Sequence, residues 1–424
     1  MEASTIEAMS RLLLLSTTTG YQAEMFRAAA ARAGAQLTLA TDRCHVLEDP
    51  WRDGAIAAKF HDSARSAEAI AVAARQQPIS GVVAIGDAPV ETAAFAAQAL
   101  GLPFHPPDAV RAAHNKFLAR ECFRAAGLRV PWYQRFAADS DPAVAVSAVP
   151  FPCVLKPLGL SASRGVIRAD DPLQFAASFH RIRELLNTPE IRALRDESAA
   201  WIQVETFIPG VEIAVEGILT HGELQVLAMF DKPDPLDGPF FEETIYVTPS
   251  RLADDVQQSA LAALRSAIAA LGLSHGPIHA ELRLNAEGPY LLEVAARPIG
   301  GLCAGALRFG DDMPLEELIV RHALGEDVRQ LTRESRAAGV MMIPIPRGGV
   351  YEGVTGVEGA LAVGGIERVE ITAKLQQKLV PLPEGASYLG FIFAGAEKPQ
   401  EVEEALRAAH ARLKFEIAAE IAVL

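Results

Sequence analysis

The sequence predicts an α/β amino-terminal domain built on a parallel sheet, then two mixed α+β lobes, then a small accessory α+β domain. Three observations carry this expectation. Up to about residue 110, apolar strand-like runs alternate with alanine-rich helical stretches, the pattern of strands joined by crossover helices. The middle of the chain holds alternating apolar runs joined by tight turns, the mark of antiparallel hairpins. From about Val340 the sequence breaks into short β-like pieces rich in glycine and proline.

Taken in order, Arg11 to Thr41 reads as an apolar strand, a Ser/Thr/Gly loop, a helix and a second strand from Gln36 to Ala40. A second unit has a strand at Gly81 to Ile85, a loop at Gly86 to Ala88 and a helix at Val90 to Leu100 closed by Gly101. Loops that follow parallel strands form a crevice, but the first loop lacks GxGxxG, so a dinucleotide site is not the expectation there. One helix is expected from Ala112 to Gly127, and VPFPCVLKP then reads as a strand leading to Lys156. The loop GLSASRG and strand VIRA follow, then a helical stretch from Pro172 to Arg195 and the strand WIQVETFI. PGVEIAVEGIL and ELQVLAMFDK form a hairpin about His221-Gly222. A long helix from Asp254 to Leu271 precedes the hairpin GPIHAELRLNAEGPYLLEVAARPIGG, and a last helix is expected from Gln400 to Phe415. The expected divisions are 1–110, 111–335 with a subdomain at about 130–210, and 336–424.

Composition narrows the function. With 53 acidic against 39 basic residues the formal charge is −14, which disfavours a general electrostatic hold on nucleic acid or anionic membrane. An anionic ligand must then be met by a locally basic pocket. The four cysteines, Cys44, Cys122, Cys153 and Cys303, show neither CxxC nor zinc-site spacing and read as thiols of a reducing compartment. The opening MEASTIEAMSR has no basic n-region, and no run reaches the ~20 apolar residues of a membrane helix, so a cytoplasmic protein is expected.

Several side chains could do chemistry. Lys156 ends an apolar strand that should hold it inward, and Lys116 precedes it by 40 residues. Between Gly159 and Gly165 the loop offers backbone N–H groups together with Ser161, Ser163 and Arg164, a set that suits a polyphosphate; a simple turn is the alternative. Glu281 and Glu293 sit on the two strands of one hairpin, each in an inward slot of an apolar run. Converging carboxylates of that kind suit a hard cation such as Mg²⁺, while a solvated sheet face is the bland reading. Arg297, followed by the Pro298 to Gly301 turn, could reach a transferring phosphoryl group.

The succession of Lys116, KPLGLSASRG, VETFIPGVE, HAELRL and LLEVAARPIGG resembles the ATP-grasp superfamily, particularly its carboxylate-amine ligases of the L-amino acid ligase kind. The resemblance is strongest from about Ala112 to Gly325. It implies a Rossmann-like amino-terminal domain, a lid subdomain and a central domain that clamp ATP between two sheets. It implies that Lys116 and Lys156 meet the ATP phosphates and that the Gly159 to Gly165 loop, with Ser161, Ser163, Arg164 and Gly165, covers them. Glu205, Thr206, Phe207 and Ile208 resemble the adenine hinge, and Glu212 the ribose ligand. Glu281 and Glu293 would hold Mg²⁺, or Mn²⁺ in its place, with Arg297 beside the γ-phosphoryl or acyl phosphate.

His279 resembles a histidine near the reacting carboxylate in dipeptide-forming relatives; a hydrogen-bonded core histidine is the alternative. The segment Asp231 to Ser250 resembles the strand over the acceptor pocket, with Glu242 or Glu243 facing a substrate ammonium and Gly300 and Gly301 at the pocket wall. One departure stands out: many relatives have Asn two residues after the second metal-binding Glu, and here that residue is Ala295. The implied activity is ATP-dependent amide or peptide bond formation through an acyl phosphate. Its partners would be a small carboxylate and an amine, with a homodimer as in many relatives and neither nucleic acid nor membrane. The alternatives are a biotin-carboxylase-like enzyme that activates bicarbonate and a non-catalytic nucleotide-binding protein.

Overall fold

The computed structural model describes residues 10–17, 21–42 and 55–419, so Cys44 and the opening segment 1–9 lie outside the described residues. Strands β1 (Arg11–Ser16), β2 (Gln36–Thr41), β3 (Ala55–Ala57) and β4 (Gly81–Ile85) make a parallel sheet in the order β3-β2-β1-β4. The Leu12 to Leu15 run is apolar throughout because both faces of β1 are covered. Leu12 and Leu14 pack with Phe26 and Ala29 of the helix Tyr21–Arg32, whereas Leu13 and Leu15 pack with Ile70 and Ala93 of the helices Ser63–Ala74 and Val90–Leu100. Gly101 closes the second of these in the left-handed region at φ 67°.

The single helix expected from Ala112 to Gly127 is two helices, Pro107–His114 and Lys116–Ala125. Asn115 is extended at φ −95° and ψ 110°, and its side chain accepts from the N–H groups of Phe117 and Leu118. This cap restarts the chain at a new angle and puts Lys116 on the first turn of the second helix.

Strands β5 (Tyr133–Ala137), β6 (Cys153–Pro157), β7 (Ile167–Ala169) and β8 (Trp201–Thr206) form an antiparallel sheet ordered β5-β8-β6-β7. Phe175, Phe179, Ile182 and Leu186 of the helix Pro172–Leu186 cover it. The helical stretch expected to reach Arg195 stops at Leu186, and a short helix, Pro189–Ala193, follows. Thr188 precedes a proline and is extended there at ψ 147°, which breaks the run.

The central elements are β9 (Val211–Thr220), β10 (Glu223–Asp231), β11 (Ile245–Thr248), β12 (Gly276–Asn285) and β13 (Gly288–Ala295), backed by the helix Asp254–Leu271. A two-residue-per-strand hairpin, β14 (Arg308–Phe309) and β15 (Met313–Pro314), leads into the helix Leu315–Ala323. The remaining strands are β16 (Ala337–Ile343), β17 (Gly349–Thr355), β18 (Ile366–Ile371), β19 (Lys378–Leu379), β20 (Gly390–Ala396) and β21 (Lys414–Ala418).

One eight-stranded sheet, β13-β12-β9-β10-β11-β16-β20-β18, runs through both the central and the carboxy-terminal segments. The division expected at 335–336 therefore separates strands that share a sheet, because β11 pairs with β16 from Ile245↔Met341 to Thr248↔Ala338. The last helix ends at His410 instead of Phe415; Phe415 belongs to β21 and pairs with Val354 of β17.

Candidate active site

A cavity of about 440 Å³ opens between the β5–β8 sheet, the central sheet and the loop after β4. The hairpin β12–β13 supplies its acidic wall. Glu281 lies directly opposite Glu293 in register, followed by a bulge before Leu282, and both side chains line the cavity. Period-two alternation and the Asn285–Gly288 turn bring the two carboxylates onto one face.

The basic groups come from three separate elements. Lys116 lines the cavity, donates to the Leu160 carbonyl at 2.6 Å and lies 3.9 Å from Glu293. Lys156 of β6 donates to Glu205 at 2.7 Å. Burial pulls the Lys156 pKa down, and the charge of Glu205 opposes that shift. Arg297 pairs with Asp87 of the loop after β4 at 2.6 and 3.1 Å. Burial disfavours the charge on both, yet their mutual attraction holds Asp87 low and Arg297 high.

Glu205 of β8 is buried among Arg120, Lys156 and Gln203, which donate to it at 2.7, 2.7 and 2.6 Å. Burial alone would raise its pKa, but Arg120 and Lys156 bring it to about 2. Thr206, Phe207 and Ile208 also line the cavity. The backbone N–H of Thr206 donates to the Trp132 carbonyl at 2.9 Å. The Ile208 carbonyl accepts from Arg283 at 2.8 Å.

A second carboxylate group sits beside these. Among the described residues, Glu212, Glu243 and Glu281 bring carboxylate oxygens within 4.8 Å of one another. Lys232 lies among them, 2.8 Å from Glu212 and 3.1 Å from Glu281, and it also donates to Glu243. Burial opposes the Lys232 charge, but its three carboxylates raise its pKa well above the usual lysine value. The Glu243 pKa is raised as well, by burial and the charge of Glu281, against the pull of Lys232. Tyr246 donates to Glu243 at 2.9 Å.

His279 faces the cavity with Nδ1 3.0 Å from Glu216 and Nε2 3.6 Å from Glu281. Burial disfavours the imidazolium, yet hydrogen bonds to the two carboxylates raise His279 to about 9. Glu216 in turn accepts from the Ile299 N–H at 3.1 Å, which ties β9 to the turn bearing Gly300 and Gly301. Both glycines line the cavity, and Gln22 donates to the Gly301 carbonyl at 2.7 Å.

Three expected residues stand elsewhere. Ser161 and Ser163 line the cavity, but Arg164 turns away to Glu190, at 3.0 and 3.2 Å, and to the Glu384 carbonyl. Gly165 lies outside the lining and donates to the Pro383 carbonyl at 2.7 Å. Of the acidic pair in FFEET, Glu243 lines the cavity and Glu242 does not. Only Ile245–Thr248 of the segment Asp231 to Ser250 beyond Asp231 is strand. Asp87, Arg120, Glu216, Lys232 and Tyr246 were not among the expected site residues, although Asp87 occupies the kind of post-strand loop that forms a crevice.

Three cations facing part-exposed carboxylates across one cavity have the charge pattern that a polyphosphate and a hard divalent cation complement. The oxygen-only donor set of Glu281 and Glu293 fits such a cation. Ala295 adds no ligand: it is buried and pairs with His279 across the hairpin.

The fold and this site define an ATP-grasp protein. Sequence models agree: the ATP-grasp domain matches residues 149–306, the ATP-grasp N-terminal domain 26–104 and the L-amino acid ligase C-terminal domain 2 residues 341–418. The chain thus carries the domains of the ATP-grasp superfamily. It is 30% identical over 222 residues to alanine–anticapsin ligase of Bacillus subtilis, covering 49% of this chain and 46% of that one. Carnosine synthase 1 of Gallus gallus is 31% identical over 288 residues, covering 62% of this chain and 30% of that one. The chain thus spans half or less of the length of these two relatives. In fold it is similar to the crystal structure of an L-amino acid ligase from Bacillus licheniformis, with a TM-score of 0.79 at 24% identity over 96% of this chain and 98% of that one.

Proposed function

We propose that the protein is an ATP-dependent carboxylate-amine ligase that joins amino acids or related small substrates through an acyl phosphate. The observation that carries the reading is the gathering of Lys116, Lys156 and Arg297 opposite Glu281 and Glu293 around one cavity. In the reaction a substrate carboxylate oxygen attacks the γ-phosphorus of ATP, the bond to the β-phosphate oxygen breaks, and ADP leaves. The amine then attacks the acyl carbon and inorganic phosphate leaves with the former carboxylate oxygen. Two anions must meet in the first step, and the three cations offset their repulsion. Glu281 and Glu293 are the residues that would hold Mg²⁺, whose chemistry here is charge neutralisation along the phosphates. His279, held by Glu216 at Nδ1 at 3.0 Å, has its Nε2 3.6 Å from Glu281, and that nitrogen would donate to a substrate oxygen in the cavity in place of Glu281. The β5–β8 sheet and its Ser161–Ser163 loop would exclude water from the acyl phosphate.

Phosphate release from Mg-ATP with pairs from an amino-acid panel tests this reading. Turnover should require both partners, and Glu293→Lys should lower it by at least about 10²-fold, the scale of losing one electrostatic contact to the reacting phosphoryl group. ATP binding without turnover over the whole panel would favour a non-catalytic nucleotide-binding protein, the reading to which Ala295 lends weight.

A further inference from the structure

The cavity continues beyond its charged rim to a group that the mechanism above does not use. Glu316 stands on the first turn of the helix Leu315–Ala323 and lines the cavity. Only 5% of it is exposed, and its Oε2 has no hydrogen-bond partner among the described residues. Its neighbour in sequence, Glu317, is satisfied twice, by Arg32 and by Arg321. Three guanidinium groups act on Glu316 from nearby, those of Arg308, Arg32 and Arg368. Each is already engaged, with Asp312, Glu317 and Glu370 respectively.

Part of the lining is apolar. Phe26, Leu315, Ile319, Met342 and Phe391 belong to one packed cluster and line the same cavity. A carboxylate left unpaired in apolar surroundings is costly, and burial indeed raises the pKa of Glu316. The usual compensation is a cation brought within hydrogen-bond distance. A side chain of methylenes ending in an ammonium or guanidinium group matches both features, because its stem packs on apolar walls while its head meets the acid. Glu243 is not equivalent: Lys232 and Tyr246 already donate to it.

We propose that Glu316 is a specificity residue that receives the side-chain cation of one substrate, so that one of the two joined molecules is a basic amino acid. This rests on the ligase reading above. Glu316 takes no part in phosphoryl transfer; it selects by leaving a buried charge unpaired when the substrate lacks a cation.

The test compares lysine with norleucine, and arginine with citrulline, in the phosphate-release assay over the full partner panel. The basic member of each pair should be used at least about tenfold better in kcat/KM. Glu316→Gln should remove that preference, and Glu316→Asp should keep it at weaker binding, which separates loss of charge from loss of fold. Calorimetric titration of lysine into the protein with Mg-ADP supplies a readout free of turnover: binding in the wild type, lost in Glu316→Gln. Equal use of lysine and norleucine, or an undiminished preference in Glu316→Gln, overturns the proposal while leaving the ligase reading intact. Lysine binding that depends on Glu316 without any turnover sinks the ligase reading and keeps the cation site.

Discussion

Arg120 has its guanidinium fully committed: two nitrogens go to Glu205, at 2.7 and 3.3 Å, and the third to the Leu291 carbonyl at 2.8 Å. Both side chains are almost entirely buried. Removing one member of a buried ion pair leaves the other uncompensated, typically at about 3–5 kcal/mol. Lys156 and Gln203 still reach Glu205, so Arg120→Leu should fall at the low end, about 3 kcal/mol, read by urea unfolding. No measurable loss would mean that Lys156 alone carries the carboxylate. Residues of this kind were hard to see in the sequence. Arg120 and Glu205 are separated by 85 positions and Asp87 and Arg297 by 210, and nothing in local periodicity links them. Glu281 and Glu293 were legible because one tight hairpin fixes their register, and Lys156 because it ends a strongly apolar strand.

At the scale of elements, the loop Gly159 to Gly165 has a demanding backbone. Ala162 and Ser163 adopt φ of 55° and 54°, and Gly165 lies at 73°. A Cβ at Gly165 would also stand 2.7 Å from the Pro157 side chain. Gly165→Ala should therefore loosen the loop at a cost of about 1–3 kcal/mol, seen as faster hydrogen exchange through β6 and β7. Unchanged exchange would show that the loop can shift without penalty. The sequence reading placed this loop and its strands correctly because small residues punctuate two apolar runs. It missed the break at Asn115, where polar and apolar residues keep helical spacing across the cap. It also missed the end of the last helix at His410, since β21 is fixed by its partner β17 instead of by its own pattern.

Across the molecule, four histidines from distant segments meet where the amino-terminal and central parts join. The rings of His221 and His275 are 5.1 Å apart and those of His275 and His322 4.3 Å, while His105 donates from Nε2 to the Pro277 carbonyl at 3.1 Å. Burial first, and neighbouring imidazoles second, lower His275 and His322 to about 4; burial does the same for His105, against its bond to Pro277. Their folded values lie below the unfolded value near 6.5, so the native state binds fewer protons between these limits. The stability these neutral rings contribute is complete above about pH 6.5 and is lost as pH falls toward 4. The melting temperature should drop through that window, and His275→Phe, which keeps a ring and removes a titrating group, should flatten the drop by about one proton. An equally steep drop in the variant would place the acid sensitivity elsewhere.

The unbroken sheet from β13 to β18 has a practical consequence for anyone dissecting the protein. A chain cut at residue 335 would keep every acid and base of the cavity wall on β12 and β13, yet it would strip the neighbour from β11 and bare a row of amide and carbonyl groups. Such an edge recruits whatever strand it meets, so the shortened chain is expected to self-associate and precipitate, and the carboxy-terminal strands must travel with any fragment meant to stay in solution.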